Sequence, residues 1–251
     1  MRAWMLLATL AGCTGEAPAE TDTDTDPGTG EALQEFRPER ADFEGVAVGE
    51  EASMDITVSN VGDGPLDVLE IALDDDDAPF TVGALGQAQR VRPGGAASFV
   101  VTFSPDGPGL HESTVSVATS LTQDPPFRFS VTGTGLVPGL TVAPDAVTLS
   151  TADMPARVPV VLTNPGEAEL VIDAITVEGS PGFGVDLDPD TNGRLPLALA
   201  PVDPETGRPS RTVYVTWDPA AAEGDDTATL RITSSAWAAE TVTVPLSAPS
   251  R

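Results

Sequence analysis

Apolar and polar residues alternate along most of this chain. In its first half, Met54, Ile56 and Val58 alternate with polar residues. A period of two places every second side chain on one face of an extended strand, so the pattern predicts strands with one buried face. The same alternation predicts further inward-facing sets: Ala97, Phe99, Val101 and Phe103; Phe127, Phe129 and Val131; Val158, Val160 and Leu162; Leu195, Leu197 and Leu199; Val213, Val215 and Trp217; Val242, Val244 and Leu246.

Turn-forming sequences separate these segments, namely NVGDG, RPGG, SPDGPG, NPGE and DTNG. Short alternating segments between such turns indicate antiparallel strands, and about seven strands in about 105 residues are typical of an Ig-like sandwich. Pro159 and Pro245 lie inside predicted strands. Because proline has no N–H to donate, we expect these two strands to be edge strands or to contain bulges.

The chain contains two copies of one pattern. NVGDGPLDVLEI, which starts at Asn60, matches NPGEAELVIDAI, which starts at Asn164, at a constant spacing of 104 residues. Further on, Phe103 aligns with Trp217 at a spacing of 114 residues, so the second copy carries an insertion. A repeat of this length is the size of a domain. The sequence therefore predicts an all-β fold of two tandem Ig-like antiparallel β-sandwiches, at residues 36–136 and 137–248.

The amino terminus has the features of a secretory signal at residues 1–12. Arg2 is followed by an apolar run from Ala3 to Ala11 and by the small residue Gly12. This run is too short to span a bilayer, which takes about 20 apolar residues. The only cysteine of the chain, Cys13, follows directly.

Leu10-Ala11-Gly12-Cys13 resembles the lipobox of bacterial lipoproteins. The resemblance implies that Cys13 is lipidated and becomes the first residue of the mature protein. A thiol can be alkylated to a thioether, and several acyl chains on one residue give a stable membrane anchor. Thr14 stands where an aspartate would imply retention in the inner membrane, so the resemblance implies an outer-membrane lipoprotein. An ordinary cleaved signal followed by a coincidental cysteine is the alternative.

Residues 13–35 are rich in Glu, Thr, Asp, Pro and Gly, and include TDTDTDPGTG. Their low apolar content and negative charge predict a disordered acidic tether between the anchor and the first domain.

The charge of the chain excludes several classes of partner. Its net charge is −27, and all 12 basic residues are arginine. A nucleic-acid partner is not expected, because a basic surface that neutralises phosphates is missing. Docking on anionic lipid head groups is disfavoured for the same reason.

The first copy contains a set of Asn, Gly, Pro and apolar positions at fixed places in the strand pattern: Asn60, Gly62, Pro65, Leu66, Phe80, Pro93, Gly94, Phe103, Pro105, Val131, Gly133 and Gly135. With these positions the first copy resembles the hydin-type (ASH) Ig-like domain, which occurs in tandem in bacterial surface proteins called choice-of-anchor D. The resemblance implies an Ig-like fold and transfers no catalytic residue. The second copy departs from the pattern at four places: Glu169 precedes Leu170, Trp217 replaces the Phe, Ala200-Pro201-Val202 replaces Pro-Gly, and the closing glycine pair is missing.

The sequence contains few of the side chains on which enzymatic catalysis commonly depends. The sole histidine, His111, stands at the start of a predicted strand without a nucleophile elbow nearby, and we interpret it as a strand-end residue. The chain has no lysine for Schiff-base chemistry, and zinc would need several Cys or His ligands. A hydrolase with paired carboxylates in an acidic cleft stays open as an alternative, although no pair stands in an apolar setting. The sequence predicts a protein that is not an enzyme.

The segment VDLDPDTNGRL is a candidate calcium loop. Asp188, Asp190 and Asn192 place oxygen ligands at alternate positions, as the beginning of a calcium-binding loop does, and Asp186 offers a further carboxylate. The twelfth position holds Leu199 where such a loop has a bidentate Glu. A polar hairpin turn is therefore the simpler interpretation, and the expected cofactor is none, with weak Ca²⁺ binding as the alternative.

Two other features have a simple and a functional interpretation. Asp74–Asp77 is a run of like charges, which indicates a solvated loop and less readily a cation site. Trp237 either packs at a sandwich edge or forms an exposed platform for a sugar or a partner.

The functional prediction combines the anchor, the tether and the two sandwiches. We expect a non-catalytic cell-envelope lipoprotein whose Ig-like domains contact an unidentified envelope or extracellular protein or glycan, or act as a structural spacer. A weak calcium-dependent adhesion module is the alternative. The short join from Gly135 to Gly139 predicts a semi-rigid pair of domains.

Overall fold

The computed structural model describes residues 30–249, except 76, 84–87, 123–124, 151–155, 188–193, 204, 208 and 222–225. Its regular elements are 18 β-strands, and the described residues contain no helix. The all-β fold class is therefore confirmed. Within the described residues there is no helix with the length and apolar content that a bilayer span would need.

Nine of these strands form the first domain, as two packed sheets. One sheet has the order β1-β3-β7-β5 and the other has the order β2-β9-β8-β4-β6. The strands are β1 (Gln34–Arg37), β2 (Ala41–Ala47), β3 (Ala52–Asn60), β4 (Leu66–Leu73), β5 (Phe80–Val82), β6 (Gln89–Val91), β7 (Ala96–Phe103), β8 (Gly109–Thr119) and β9 (Phe127–Leu136).

The other nine strands form the second domain, which has the same strand order. Its sheets have the orders β10-β12-β16-β14 and β11-β18-β17-β13-β15, so each strand of the first domain has a counterpart nine elements later. The strands are β10 (Thr141–Ala143), β11 (Val147–Thr148), β12 (Ala156–Thr163), β13 (Leu170–Gly179), β14 (Phe183–Leu187), β15 (Leu197–Leu199), β16 (Ser210–Trp217), β17 (Asp226–Ser234) and β18 (Thr241–Ala248).

The first segment of each domain differs from the predicted pattern of about seven antiparallel strands. It divides into two short strands that join different sheets, and this division contributes to the higher count. β1 pairs antiparallel with β3, whereas β2 pairs parallel with β9. β10 and β11 repeat this arrangement with β12 and β18. A proline, Pro38 or Pro144, stands at each division and cannot contribute an N–H to a continuous ladder.

The first strand also begins earlier than the predicted boundary at residue 36. β1 starts at Gln34, within the segment that the sequence assigns to the tether. The Thr119 hydroxyl donates a hydrogen bond to the Gln34 side chain at 2.7 Å, and Phe36 is buried. These contacts extend the sheet two residues toward the amino terminus.

The prediction that Pro159 and Pro245 lie in edge strands is wrong for the strand order of the sheets. β12 lies between β10 and β16, and β18 lies between β11 and β17, so neither is an edge strand. However, β10 pairs only with residues 161–163 of β12, and β11 pairs only with Leu246 and Ser247 of β18. Each proline therefore lies just beyond a short neighbour, at a local edge where a residue without an N–H is tolerated.

Each sandwich has its own core, and the two cores differ in composition. The alternating residues face inward as predicted, and Ile56, Val101, Val160 and Val215 are fully buried. Seven of the eight phenylalanines belong to the first domain. The second core is built mainly from Leu, Ile and Val around Trp217.

Candidate functional site

The Asn-x-Gly turn of the first domain is organised by a buried asparagine side chain. Asn60 is fully buried at the end of β3, and its Nδ2 donates to the carbonyls of Gly64 (2.7 Å) and Val91 (3.1 Å). Its Oδ1 accepts from the backbone N–H groups of Gly62 (3.1 Å) and Leu33 (3.4 Å). This one side chain therefore ties both sheets and the entering chain together.

Asn164 makes the equivalent hydrogen bonds in the second domain, and one of them goes to the segment that connects the two domains. Its Nδ2 donates to the carbonyls of Ala168 (2.9 Å) and Leu199 (3.1 Å). Its Oδ1 accepts from Gly166 (2.9 Å) and from Gly139 (3.1 Å), which lies in the segment between the domains. A Cβ on Gly166 would collide with the carbonyl of Val137, so the glycine of the motif permits this close approach.

Residues 136–139, which we call the joint, have consecutive backbone groups bonded to one domain or the other. The Leu136 carbonyl accepts from Val48 of the first domain at 2.9 Å. The Val137 carbonyl accepts from Glu167 and Ala168 of the second domain at 3.1 and 3.3 Å. The next carbonyl, Pro138, accepts from Trp237 at 3.0 Å. Each of the four residues thus has a backbone group bonded to one domain or the other, and the change from the first domain to the second falls between the carbonyls of Leu136 and Val137.

The loop that contacts the joint presents an exposed tryptophan. Trp237 lies between β17 and β18 and is 44% exposed. It lines an open groove of about 370 Å³ together with Ser234, Ser235, Ala236, Ala238 and Glu240. The structure thus supports the exposed-platform interpretation of this residue over packing at a sandwich edge.

The base of the second core holds a buried carboxylate that the sequence analysis missed. Asp226 is 1% exposed and accepts hydrogen bonds from Trp217 Nε1 at 2.7 Å and from the Ser180 hydroxyl at 2.8 Å. It alternates with the inward residues Ala228 and Leu230 on β17, and this alternation is the signal that could have placed it inside. With two donors satisfying it, Asp226 is a structural group that anchors the indole.

The first domain has a histidine where the second has Asp226. His111 is the third residue of β8, near the start of the strand as expected. Its Nε2 lies 3.1 Å from the Gly107 carbonyl, and its ring centroid is 5.8 Å from that of Phe103. Through these contacts His111 packs against Phe103 at the end of the first core that corresponds to Asp226 in the second.

The candidate calcium residues are only partly within the described structure. Asp186 is exposed on β14, opposite Tyr214 of β16, and it lines a second open groove, of about 490 Å³, with Arg157. Asp188, Asp190 and Asn192 lie outside the described residues, so the calcium loop stays a prediction. In the described part of the chain, no three His, Cys, Asp or Glu side chains group closely enough to hold a metal ion.

The acidic run at Asp74 begins in a loop directly after β4, as predicted for the described members of the run. Asp74 accepts a hydrogen bond from Ser116 and lies 3.4 Å from the Arg128 guanidinium. Asp75 accepts from the backbone N–H of Asp77. These carboxylates are thus engaged with protein groups.

The hydrolase alternative needs two carboxylates facing one cleft. The groove beside Trp237 contains the single carboxylate of Glu240, and the groove beside Arg157 contains the single carboxylate of Asp186. Neither groove therefore offers the required pair. Cys13 and the tether up to residue 29 lie outside the described residues, so the lipid anchor also stays a prediction.

Comparison with known proteins agrees with the fold. Residues 32–134 match a family model described as "HYDIN/CFA65/VesB-like, Ig-like domain". The first domain is therefore a hydin-type Ig-like domain, and the resemblance carried by its motif is confirmed. Domains of this kind are typically non-enzymatic, which indicates an interaction module. No curated protein sequence matches the chain.

Several solved structures are similar to this chain at low identity. A protein of unknown function from Porphyromonas gingivalis W83 is 13% identical, with 86% of this chain and 98% of that chain covered and a TM-score of 0.34. The ASH/PapD-like domain 7 of human CEP192 is 16% identical, with coverages of 53% and 97% and a TM-score of 0.34. The Pseudomonas aeruginosa CupB2 chaperone is 16% identical, with coverages of 84% and 98% and a TM-score of 0.30. At these TM-scores the similarities carry no functional conclusion.

Proposed function

We propose that this protein, whose first domain is a hydin-type Ig-like domain, is a non-catalytic lipoprotein of the cell envelope that presents two Ig-like domains in a fixed arrangement to a partner. The observation that carries the proposal is the joint. Successive backbone groups from Leu136 to Gly139 are bonded to one domain or the other. Such a connection transmits position from one domain to the next, as a display or spacer protein requires.

The fixed arrangement favours interaction over independent domain function. Flexible linkers let domains act separately, whereas a bonded connection presents the surfaces of both domains together. The loop that presents Trp237 donates a hydrogen bond to the joint itself. A partner that contacts this loop therefore lies where the two domains meet.

The anchoring part of the proposal depends on the sequence around Cys13. The Leu-Ala-Gly-Cys segment and the short apolar run before it support lipidation of the thiol and placement in the outer membrane. The acidic tether then separates the lipid from the first domain. The chain's net charge of −27 keeps the domains away from anionic head groups.

Fractionation of a bacterial host tests the anchor. The full-length wild type is expected in the membrane fraction, and Cys13→Ser is expected in the soluble fraction. Mass spectrometry of the mature wild type should show a lipidated first residue. Thr14→Ser is the matched control and should leave fractionation unchanged. An underivatised amino terminus, or membrane association that survives Cys13→Ser, would reject the anchor.

Distance measurements between spin labels test the fixed arrangement. The chain without residues 1–13 has no native cysteine, so single cysteines introduced at the exposed positions Glu112 and Arg231 label one domain each. We expect a narrow distance distribution, and an insertion of Gly-Gly-Ser between Val137 and Pro138 should broaden it. The same insertion between Gly94 and Gly95, in a turn of the first domain, is the control. A broad distribution in the wild type would contradict the proposal.

A crosslinking experiment distinguishes partner binding from simple spacing. A specific partner should be crosslinked to the wild type in intact envelopes, and less of it to the Val137–Pro138 insertion variant. If the insertion variant yields the same partner with the same efficiency, the fixed arrangement has no role in recognition.

A further inference from the structure

We infer that Trp237 and Glu240 form a docking site for a cationic side chain, an arginine or a lysine, on a basic segment of a protein partner. The inference rests on the proposed interaction role and names the chemistry of the partner. It depends on three features of the described residues, namely a loop with bonded backbone, an exposed indole and a carboxylate in the same groove, and on the net charge of the whole chain.

The loop that carries Trp237 is held in place by its own backbone. The N–H groups of Ser234 and Ala239 donate to the carbonyls of Glu240 and Ala236 within the loop. The Ser235 N–H donates to the carbonyl of Val171 at 2.8 Å.

Hydrogen bonds from side chains and from the joint complete this support. The Ser235 hydroxyl accepts from the Val171 N–H at 2.9 Å, and the Ser234 hydroxyl accepts from the Ala236 N–H at 3.3 Å. The Trp237 N–H donates to the carbonyl of Pro138. Since these backbone positions are fixed before a ligand arrives, binding costs little ordering of the loop.

The exposed indole is an unusual feature of this surface. Trp237 is 44% exposed, whereas Trp217, the other tryptophan after the signal, is 4% exposed and bonded to Asp226. Ala238, the next residue, has a φ of 59°. A non-glycine residue in this left-handed region costs conformational energy, so the turn holds a strained backbone directly beside the indole.

The chemistry of the groove fits a cation. An indole face attracts an ammonium or guanidinium group more strongly than other aromatic side chains do. The Glu240 carboxylate lines the same groove and supplies a hydrogen-bonding counter-charge. The net charge of −27 raises the local concentration of basic segments and repels nucleic acids and anionic glycans.

The corresponding loop of the first domain is built differently. Thr122 occupies the position that matches Trp237, in the loop between β8 and β9. Its hydroxyl lies within hydrogen-bond distance of Gln34 Nε2 (3.3 Å) and the Thr119 hydroxyl (3.1 Å). This side chain is therefore occupied inside its own domain, and the described residues of this loop do not repeat the arrangement around Trp237.

Isothermal titration of the chain from residue 14 onward tests the site with a defined probe. The probe is a short peptide of alternating arginine and serine, and its citrulline counterpart is the neutral control. We expect the arginine peptide to bind and the citrulline peptide to bind about tenfold more weakly or not at all. Trp237→Ala should weaken the arginine peptide by about tenfold, and Trp237→Phe should retain part of the affinity.

Glu240→Gln and Glu178→Gln are the matched charge variants. Both remove one exposed carboxylate from the second domain, but Glu178 lies near the far end of β13 from the Trp237 loop. Glu240→Gln should weaken the arginine peptide about threefold, and Glu178→Gln should leave it nearly unchanged. Thermal unfolding of each variant checks that the domain is intact.

Three results would overturn the inference. The first is equal binding of the arginine peptide by wild type and Trp237→Ala. The second is an equal loss in Glu240→Gln and Glu178→Gln, which would reduce the effect to overall charge. The third is Trp237-dependent binding of a neutral oligosaccharide without arginine-peptide binding, which would make the loop a glycan platform. An envelope partner that is still crosslinked in any of these cases would leave the proposed function standing.

Discussion

The two domains share one strand order but close the base of the core in different ways. In the first domain, Phe103 stacks on Phe80 at a centroid distance of 4.7 Å and contacts His111. In the second domain, the matching Trp217 donates its indole N–H to the buried Asp226. Opposite His111 and Asp226, the last strand of the domain holds Gly133 and Ala248, respectively.

This comparison separates what the fold requires from what it tolerates. The asparagine at the top of each sandwich has matching hydrogen-bond partners in both domains. The residues at the base have exchanged an aromatic contact for a hydrogen bond without any change in strand order. The hydrogen bonds of the buried asparagine are therefore required by the fold. The residues at the other end of the core, such as Phe103 and Trp217, can differ between the domains as long as they fill the space.

The largest effect is expected from removing either asparagine. Asn60→Ala and Asn164→Ala each remove the side-chain hydrogen bonds to at least two carbonyls and two backbone N–H groups, so the affected domain should lose about 3 kcal/mol or more of unfolding free energy. Urea unfolding followed by hydrogen exchange assigns the loss to a domain. Asn164→Ala should also free Gly139 and broaden the distance distribution across the joint. Equal destabilisation of both domains by one substitution would contradict the separate-core interpretation.

Asp226→Ala should destabilise the second domain by about 2 kcal/mol, because Trp217 Nε1 and the Ser180 hydroxyl lose their buried acceptor. Tryptophan fluorescence reports this transition, since both tryptophans after the signal lie in the second domain. In a Trp217→Phe background the penalty of Asp226→Ala should shrink, because phenylalanine has no N–H to leave unpaired. Asp173→Ala, on the exposed face of β13, is the control. An unchanged penalty in the Trp217→Phe background would show that the indole bond has no stabilising role.

Gly133→Ala tests whether the first core accepts the residue of the second. A Cβ on Gly133 would lie 2.5 Å from Phe103 Cε1, so the substitution should cost about 2 kcal/mol through overpacking. The reverse change, Ala248→Gly, removes one methyl group and should cost less than about 1 kcal/mol. The two unfolding free energies, measured in urea, check the asymmetry. Equal costs would mean that the bases of the two cores are interchangeable.

The smallest effect is expected from an ion pair that only the first domain carries. Arg90 donates to both carboxylate oxygens of Asp67 at 2.8 and 3.0 Å across β4 and β6, where the second domain has Val171 and Ala198. The hydrogen bond from Arg90 holds the pKa of Asp67 below its ordinary value of 3.8.

A lowered pKa in the folded state gives this pair a definite pH dependence. Its contribution is present above the unfolded-state pKa and is lost as the pH falls through the lowered folded-state pKa. Unfolding of the first domain between roughly pH 5 and pH 2 should therefore show a slightly shallower acid loss in Asp67→Asn than in the wild type. Arg231→Ala, an exposed change in the second domain, should leave that profile unaltered. If the unfolding free energy of the first domain depends on pH identically in Asp67→Asn and in the wild type, the Asp67–Arg90 ion pair does not contribute to its stability.

Much of the fold followed from local pattern. The alternation of residues such as Phe99 and Val101 identified the strands and their buried faces, because a period of two is a property of the extended chain itself. The 104-residue spacing from Asn60 to Asn164 identified the duplication. Predictions that depended on a strand's neighbours were less successful, as Pro159 and the parallel pairing of β2 with β9 show.

The candidate site was less predictable than the fold. Trp237 was recognised as a possible platform, but its exposure and its bond to Pro138 depend on a contact between segments about 100 residues apart. Asp226 is one of 39 acidic residues, and its type alone does not distinguish it from the exposed ones. Only its place in the alternation of β17 indicates that its side chain is buried. The calcium loop and the lipidation of Cys13 stay predictions from sequence.

By itself, the sequence determined that the chain is made of strands, that it is duplicated and that its surface is strongly acidic, since alternation, repetition and charge belong to the residues in their order. Only the tertiary structure decided that Asn60 and Asn164 tie two sheets, that Asp226 supports an indole and that the joint is bonded on both sides. Each of these is a hydrogen bond between distant segments, and its partner is set by how the sheets pack and not by any neighbour in sequence.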